Sequence, residues 1–305
     1  MIHWTDRNMS PKVSVCIPTY NRKDYLKEAL ESVFAQTYKD YEVVIVDDGS
    51  TDGTEDMLKD AGYDVRYCWA EHIGQAAARN KLIELAHGEY ITFLDSDDLL
   101  FPDAVQKLMD VIDSYGPDVF AYGSYIGVDE EGNHIRTKQS KLPSGNIVTE
   151  LFEFIYVKSC GTMCAKRIYE RQGGFDTSLR RCAVYKLLLE LSLKYKFVPV
   201  DGLTYKKRRH RDNLSDRLFA SRKTELDVLE DFYFNGGGKE VIPRHRAMRR
   251  LSKEGYRAGR AAIREGLTEQ ACKFLSQSFW RYPNAKSLMH WVRAIIRYRL
   301  YNSSG

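Results

Sequence analysis

The chain has 305 residues, of which 43% are hydrophobic and 29% charged, so it can bury a large core and is not an intrinsically disordered protein. Its formal charge of +4 is divided unevenly: residues 201–305 hold 23 Lys and Arg against 11 Asp and Glu, a net charge of +12, and residues 1–200 carry a net charge of −8. No apolar run approaches the roughly 20 residues of a membrane-spanning helix.

The amino-terminal residues do not have the pattern of a signal peptide. Residues 1–11 form a polar leader, and the first apolar run, Val13–Ile17, is too short for the apolar region of such a peptide. The six cysteines are scattered without a CxxC pair, which favours buried thiols over a disulfide framework. We therefore predict a reduced, cytoplasmic location.

The first half of the chain alternates short β-branched runs with helical patterns, which is typical of a parallel sheet with helices on its faces. The pattern predicts strands at residues 13–17, 43–46, 65–68 and 90–94, and helices at residues 24–36, 54–59, 74–87 and 102–115. Ligands of such sheets bind beyond the carboxyl ends of the strands. The motifs Pro18-Thr19-Tyr20-Asn21, Asp47-Asp48 and Asp95-Ser96-Asp97-Asp98 are therefore predicted to converge on one edge.

The second half of the chain changes from a mixed pattern to a purely helical one. It predicts strands at residues 119–125, 162–165 and 197–200, a hairpin turn at residues 129–133 and a helix at residues 183–195. From about residue 217 only helices are predicted, with a linker at residues 235–238. This pattern predicts a leader (residues 1–11), an α/β domain (residues 12–216) and a basic helical extension (residues 217–305).

Three carboxylates lie within four residues in the stretch Phe93 to Leu100, FLDSDDLL, directly after a predicted strand. Like charges at this spacing raise one another's pKa unless a cation compensates them. A hard divalent ion, Mg²⁺ or Mn²⁺, shared with the phosphates of a substrate would compensate them. The alternative is that Asp97 or Asp98 caps a helix entering at Pro102, although a cap needs only one acidic residue.

Three segments together resemble the nucleotide-sugar-dependent family 2 glycosyltransferases of GT-A fold. They are residues 13–54 (VSVCIPTYNRK to DDGSTDGT), residues 74–99 (GQAAARN to FLDSDDL) and residues 173–182 (GGFDTSLRRC). The resemblance runs in collinear order over about two thirds of the chain. It implies one nucleotide-binding α/β/α domain with a mixed, mostly parallel sheet, followed by a C-terminal helical extension.

The resemblance implies an activity as well as a fold. Family members of this type transfer a sugar, with inversion, from a nucleotide-diphosphate donor, here expected to be a UDP-sugar. The expected acceptor is a glycan or a lipid-linked molecule in polysaccharide or cell-surface glycan synthesis. A dinucleotide oxidoreductase is a weak alternative, because no Gly-X-Gly-X-X-Gly follows the first predicted strand.

The same resemblance implies which residues bind the donor. They are Pro18, Thr19, Tyr20, Asn21, Asp47, Asp48, Arg79, Asp95, Ser96 and Asp97. Asp48, assisted by Asp47, would read the nucleobase, because a carboxylate accepts hydrogen bonds and so selects bases that offer an N–H. Arg79 would lie near the diphosphate. The alternatives are an ordinary Asp-Gly turn after the second strand and a surface arginine.

The resemblance also implies the metal ligands, which are Asp95, Asp97, Asp98 and His210. A divalent ion held there would act as a Lewis acid on the departing diphosphate. His210 lies in YKKRRHRDNLSD, which resembles the closing RRHxxNxS stretch of the family, and Asn213 would position a loop over the donor. The alternative is a solvated histidine in an arginine-rich loop.

The position of the catalytic carboxylate of the family is aliphatic in this chain. Attack by an acceptor hydroxyl needs a base, and the family run Glu-Asp-Tyr-Asp after GGFD reads Ala183-Val184-Tyr185-Lys186 here. Val184 occupies the expected base position. The candidates for a substitute base are Glu190, Asp176 and His210, although Glu190 is also spaced for a salt bridge with Lys186 and Asp176 is typical of a turn.

Losing a general base typically slows a reaction about 10²- to 10⁴-fold. A second hypothesis is therefore a catalytically weak or silent homologue that binds the donor or serves as a scaffold.

The segment from Trp280 to Tyr301 mixes aromatic residues with arginines, which is typical of interfacial amphipathic helices. It predicts peripheral attachment to the inner face of the plasma membrane, and the alternative is packing against the catalytic domain. Nucleic-acid binding is disfavoured, because few aromatic residues interleave with the arginines that precede this segment.

Overall fold

The computed structural model describes residues 10–137, 142–210 and 219–302, and the side chains of residues 10–135, 142–210 and 219–296. The chain divides into two compact units. The first comprises Met1–Ile147 and Tyr156–Arg211, and the second comprises Val148–Ile155 and Asp212–Gly305. Among the described residues, no helix combines the length and the apolar character that crossing a bilayer requires.

The secondary structure alternates through the first unit and is helical in the second. The strands are β1 (Val13–Thr19), β2 (Tyr41–Asp47), β3 (Arg66–Trp69), β4 (Tyr90–Phe93), β5 (Leu99–Leu100), β6 (Val119–Val128), β7 (His134–Thr137), β8 (Thr162–Ala165) and β9 (Lys196–Arg208). The helices are α1 (Lys23–Phe34), α2 (Thr54–Asp60), α3 (Gln75–Leu85), α4 (Ala104–Tyr115), α5 (Val148–Glu153), α6 (Lys166–Gln172), α7 (Ala183–Ser192), α8 (Phe219–Phe234), α9 (Gly238–Val241), α10 (Arg244–Arg264), α11 (Thr268–Arg281) and α12 (Ala285–Asn302).

A mixed sheet forms the centre of the first unit. Its strand order is β3-β2-β1-β4-β8-β6-β9-β5, and β7 pairs with β6. Strands β1 to β4 are parallel, whereas β8 lies antiparallel between β4 and β6. Because β1, β2 and β4 are parallel, their carboxyl ends lie at the same edge of the sheet. The three polar motifs therefore follow strands that end side by side.

The strands at the centre of the sheet are nearly continuous apolar runs. In β2 the residues from Glu42 to Asp47 are all buried, as expected for a parallel strand that has helices on both faces. Gly88, between α3 and β4, allows the chain to pass close to β1, because a Cβ there would lie 2.5 Å from the backbone nitrogen of Ser14. This close passage sets β4 directly beside β1.

Helix α1 supports the segment that follows β4. The side chain of Gln36, just beyond α1, is fully buried; its Nε2 donates to the carbonyl of Phe101 at 2.8 Å, and its Oε1 accepts the N–H of Val105 at 3.0 Å. The hydroxyl of Ser32 accepts the N–H of Leu100 at 3.1 Å. These bonds hold the chain just after the acidic motif in place.

The second unit is helical, and its helices pack closely. A Cβ on Gly259 of α10 would lie 2.6 Å from Cγ of Leu275 on α11, so glycine permits the close approach of these two helices. The buried guanidinium of Arg250 bonds Glu225 at 2.9 Å and Glu254 at 2.6 Å. The charges of this interior network compensate one another, as buried charges must.

The predicted fold class is confirmed, and the differences lie in short or unusual elements. The sequence analysis found the first four parallel strands, the hairpin of β6 and β7, and β8 at residues 162–165. It did not find β5, α5 or α6, which are two to seven residues long and too short for a periodic signal. It also predicted only residues 197–200 of β9, which runs from Lys196 to Arg208.

Candidate functional site

The three polar motifs meet at the carboxyl edge of β1, β2 and β4. Thr19 ends β1 and pairs in register with Asp47 at the end of β2, and its carbonyl accepts the N–H of Asp48 at 2.8 Å. Asn21 has a left-handed backbone (φ 47°), and its side-chain oxygen accepts the N–H of Thr51 at 2.8 Å. The first motif is therefore tied directly to the second.

Asp47 and Asp48 have different environments. Asp47 is buried, and its two oxygens accept the N–H of Ser50 and the hydroxyl of Tyr67, both at 2.8 Å. Asp47 therefore does stabilise the turn after β2, as the alternative interpretation expected. Asp48 instead accepts the N–H of Gly74 at 2.9 Å, at the start of α3. The carboxylate of Asp48 is thereby oriented at the edge of the sheet.

An exposed aromatic pair flanks Asp48. Tyr20 is 44% exposed, and its ring centroid lies 4.7 Å from that of His72. Nδ1 of His72 lies 3.1 Å from the carbonyl oxygen of Asp48. The sequence analysis predicted Tyr20 but missed His72, which lies in an irregular loop without a recognisable motif. Together these residues leave two aromatic rings, tilted by 46° to each other, beside a hydrogen-bond acceptor.

Arg79 is the internal partner of the first acidic residue. Its side chain is 2% exposed, and its Nη2 donates to Oδ1 of Asp95 at 2.6 Å. The alternative of a surface arginine is therefore wrong. The guanidinium of Arg79 also lies over the ring of Phe175, 6.0 Å from its centroid. Helix α3 thus contributes a buried cation to the acidic motif.

Asp97 is shared between two basic side chains. One of its oxygens, Oδ2, accepts a hydrogen bond from Arg22 and lies 2.8 Å from Nε2 of His210. The side chain of His210 is only 3% exposed, so the alternative of a solvated histidine is wrong. Burial alone would raise the pKa of Asp97, but Arg22 and the hydrogen bonds from His210 and Arg22 hold it below its usual value.

Asp98 is the most buried of the three aspartates. Its Oδ1 accepts the N–H of Arg208 at 3.0 Å, and its Oδ2 is buried without a hydrogen-bond partner among the described residues. Burial, reinforced by Asp95 and Asp97, raises the pKa of Asp98 to about 8 against the attraction of Lys207.

Lys207, at the end of β9, is a second internal cation of the cluster. Burial alone would lower the pKa of Lys207, but the attraction of Asp98, Asp95 and Asp97 outweighs this effect and raises it. The helix-capping alternative for the acidic motif is wrong, because α4 begins at Ala104 and Asp103 occupies its N-cap position. The cluster therefore faces the cations of β9 rather than a helix end.

The acidic cluster has the donor set of a hard divalent ion. Ligand oxygens of Asp95, Asp97 and Asp98 lie within 4.8 Å of one another, and the imidazole of His210 adjoins Asp97. The buried, unpartnered Oδ2 of Asp98 is an orphaned acceptor that a cation would satisfy. These residues therefore fit Mg²⁺ or Mn²⁺, although Arg22 already contacts the carboxylate of Asp97.

Two of the three candidate bases lie around one pocket. Val184 is half-buried in the first turn of α7, and the pocket of about 190 Å³ beside this helix is lined in part by Asp176, Lys186 and Glu190. Glu190 accepts a hydrogen bond from Gln172 at 2.9 Å. The third candidate, His210, is the partner of Asp97 described above. Asn213, which was predicted to position a closing loop, lies outside the described residues.

Asp176 behaves as a turn residue. It accepts the N–H and the hydroxyl of Ser178 at 3.0 and 2.6 Å, and it pairs with Lys186 at 2.6 Å. The hydrogen bond from Lys186, followed by the hydroxyl of Ser178, lowers the pKa of Asp176 to about 2, which makes it a weak proton acceptor. The sequence analysis considered a salt bridge between Lys186 and Glu190, and it did not predict the pairing of Lys186 with Asp176.

Asn80 fastens the GGFD segment to α3. Its Oδ1 accepts the N–H of Phe175 at 2.7 Å, and its Nδ2 donates to the carbonyl of Phe175 at 2.8 Å. A Cβ on Gly174 would lie 2.4 Å from Oδ1 of Asn80, so only glycine permits this approach. The sequence analysis missed Asn80, which adjoins Arg79.

We expect Asn80→Ala to lower the free energy of unfolding by about 1–3 kcal/mol, because the N–H and carbonyl of Phe175 both lose a partner. Urea unfolding measures this difference. The control is Lys81→Ala, which removes an exposed ion pair with Glu84 and should leave the free energy of unfolding nearly unchanged. Equal unfolding curves for the two variants would contradict the structural role of Asn80.

The family model described as Glycosyl transferase family 2 matches residues 14–172, which is just over half of the chain. The chain belongs to glycosyltransferase family 2. An uncharacterized glycosyltransferase of Rickettsia felis is 40% identical over 144 residues, which are 47% of this chain and 24% of that protein. The chondroitin synthase of Escherichia coli is 31% identical over 234 residues, which are 73% of this chain and 32% of that protein. The regions shared with these two relatives thus cover a third of their length or less.

Solved glycosyltransferases share the fold of this family 2 chain. TarS of S. aureus, in complex with UDP-GlcNAc, superposes with a TM-score of 0.61 at 17% identity, covering 95% of this chain and 92% of that one. The mannosyltransferase PcManGT of Pyrobaculum calidifontis, in complex with GDP-Man and Mn²⁺, has a TM-score of 0.57 at 19% identity, covering 97% and 83%. The predicted GT-A fold and the family resemblance are both confirmed.

Proposed function

We propose that this family 2 glycosyltransferase transfers a hexose, with inversion, from a UDP-sugar to a glycan or lipid-linked acceptor. The observation that carries the proposal is the assembly of Asp48, Arg79 and the acidic cluster at one sheet edge. TarS, of the same fold, is solved with UDP-GlcNAc, and chondroitin synthase is named for making a polysaccharide. We assign the reaction to polysaccharide or cell-surface glycan synthesis, in the cytoplasm at the inner face of the plasma membrane.

The donor base would bind between Tyr20 and Asp48. The exposed ring of Tyr20 offers a stacking surface, and Asp48 offers an acceptor to the N–H of uracil. Thr19 and Asn21 hold the backbone around this base site in place, because they accept the N–H groups of Asp48 and Thr51. The proposal thus assigns base recognition to the ends of β1 and β2.

The diphosphate would bind beside the acidic cluster. Asp95, Asp97, Asp98 and His210 would hold Mn²⁺ or Mg²⁺, which when bound neutralises charge on the leaving diphosphate. Arg22 contacts Asp97, so it compensates this carboxylate and is placed to turn toward an arriving phosphate. Arg79 holds the carboxylate of Asp95 oriented at the same edge.

A second candidate function is a donor-binding homologue with slow or silent transfer. It is favoured by Val184 at the position of the family base and by the pairing of Asp176 with Lys186. His210 is engaged by Asp97 and Arg22. We propose that donor binding is intact and that proton removal from the acceptor limits the rate.

A donor screen tests the proposal. With Mn²⁺, UDP and UDP-sugars should raise the midpoint of thermal unfolding by about 5 °C at roughly 100 times their Kd, whereas GDP-sugars should not. The controls are nucleotide with a chelator and Mn²⁺ alone. If no nucleotide shifts the midpoint, the proposal is wrong. Turnover of the UDP-sugars that do bind then separates fast transfer from slow or silent transfer.

A further inference from the structure

Helix α12 exposes an apolar face. Four of its large hydrophobic side chains, Leu288, Met289, Val292 and Ile296, are 41–52% exposed. Their spacing places them on one side of the helix, whereas Ser287 and Ala294 on the other side are buried within the second unit. These four residues are called the α12 apolar face. Helix α12 therefore has one side packed and one large apolar side open.

Aromatic residues at the end of α11 add to the exposed apolar surface of the second unit. Trp280 is 71% exposed, the highest value among the large hydrophobic side chains of the described residues, and Tyr282 is 45% exposed. The ring of Trp280 lies 6.3 Å from that of Trp291 on α12. Soluble proteins rarely leave such contiguous apolar surface open unless a partner covers it.

The stretch of sequence that carries the α12 apolar face contains only positive charges. After Glu269 the sequence holds six Lys and Arg and no Asp or Glu. Lys286 and Arg293 are exposed on α12 itself. Arg281 of this stretch pairs with Glu230 at 2.5 Å, and arginines of α10 are likewise compensated by acids, such as Arg246 by Glu153 at 2.5 Å. The partner that covers this surface should therefore be anionic.

An anionic lipid surface fits both properties. Burial of the α12 apolar face among lipid acyl chains is favourable, and Trp and Tyr side chains are suited to the headgroup region. Anionic headgroups attract Lys286 and Arg293. Nucleic acid would pair with the positive charges but would not bury the exposed side chains of Leu288 and Ile296. A second copy of the chain would bring two positive surfaces together. We propose that the α12 apolar face and its flanking cations bind an anionic membrane surface, with α12 lying in the plane of the interface.

This inference deepens the proposed function, because membrane binding would bring the chain close to a lipid-linked acceptor. It rests on the proposed function for that acceptor alone. Vesicle binding itself requires neither donor nor metal. A failure of the donor screen would therefore leave the lipid inference standing, and a failure of vesicle binding would leave the donor site standing. The two tests read out separate surfaces of the chain.

Vesicle sedimentation of the full chain tests the inference. The chain should bind vesicles of equal parts phosphatidylcholine and phosphatidylglycerol, bind phosphatidylcholine alone at least tenfold more weakly, and lose affinity as salt rises. Val292→Glu should weaken binding about tenfold or more, because it puts a charge into the apolar contact. Replacing Lys286 or Arg293 by Gln should weaken it about fivefold each.

The matched control is Val241→Glu, because Val241 is 43% exposed and Val292 is 45% exposed within the same unit. It adds the same charge outside α12 and should weaken binding far less than Val292→Glu. Equal loss in the two Val→Glu variants, or no binding of the native chain to anionic vesicles, would overturn the inference. So would a native dimer, seen by analytical ultracentrifugation, that Val292→Glu dissociates. Thermal unfolding checks that each variant stays folded.

Discussion

Asp97→Asn should lower the rate of sugar transfer about 10³-fold and abolish the metal dependence of donor binding. The carboxylate of Asp97 lies between Arg22 and His210, and it is the central member of the acidic cluster. The amide keeps the shape of the side chain but removes its charge, so both the ion and the two basic partners lose their counter-charge. Steady-state transfer assays and Mn²⁺ titration with and without UDP measure the two effects.

The control for this variant is Asp103→Asn. Asp103 lies just before α4, is half exposed, and pairs with Lys107 at 2.9 Å on the surface. It should leave transfer and metal binding unchanged, because an exposed ion pair contributes less than about 1 kcal/mol. Transfer by Asp97→Asn within tenfold of the native rate, with a native thermal midpoint, would contradict the proposed role of the cluster.

Val184→Asp should raise the transfer rate by about 10²-fold or more, because it restores a carboxylate where the family places its base. Val184 is the second residue of α7, and the free N–H groups of the first helical turn stabilise an anion there. The new acid would be ionised at neutral pH and able to accept the proton of an acceptor hydroxyl. Initial rates at saturating donor measure the gain.

Val184→Asn is the matched control for this gain. Asn has the size of Asp and hydrogen-bonds similarly, but it cannot accept the proton as a base. It should therefore leave the rate near that of the native chain. If Val184→Asp is no faster than Val184→Asn, another group already takes the proton, and the proposal of rate-limiting proton removal is wrong.

The acidic cluster carries its own counter-charges. Arg79 pairs with Asp95, Arg22 pairs with Asp97, and the charge of Lys207 acts on all three aspartates. A divalent ion alone would therefore enter a site whose charge is already compensated, which disfavours its binding. A diphosphate arriving with the ion would give Arg22 and Lys207 a new partner. We expect the metal and the donor to bind more tightly together than either does alone.

The local pattern of the sequence determined the fold class and the edge at which the motifs meet. Alternation of β-branched runs with helical periods predicted β1 to β4, because such periods are properties of neighbouring residues. Since those strands are parallel, the positions of Thr19, Asp48 and Asp95 at one edge followed directly. The family resemblance then named these residues as a donor site, and their roles remain predictions.

Only the tertiary structure decided how the charges are paired. Arg22, Asp97 and His210 come from α1's start, the loop after β4 and the end of β9, and no local period links positions 75 to 188 residues apart. Burial likewise decides that Asp98 is the aspartate with the raised pKa, although the sequence shows three similar acids. Pairing and burial depend on which distant segments the folded chain brings together. The sequence pattern specifies only which secondary structure each segment can form.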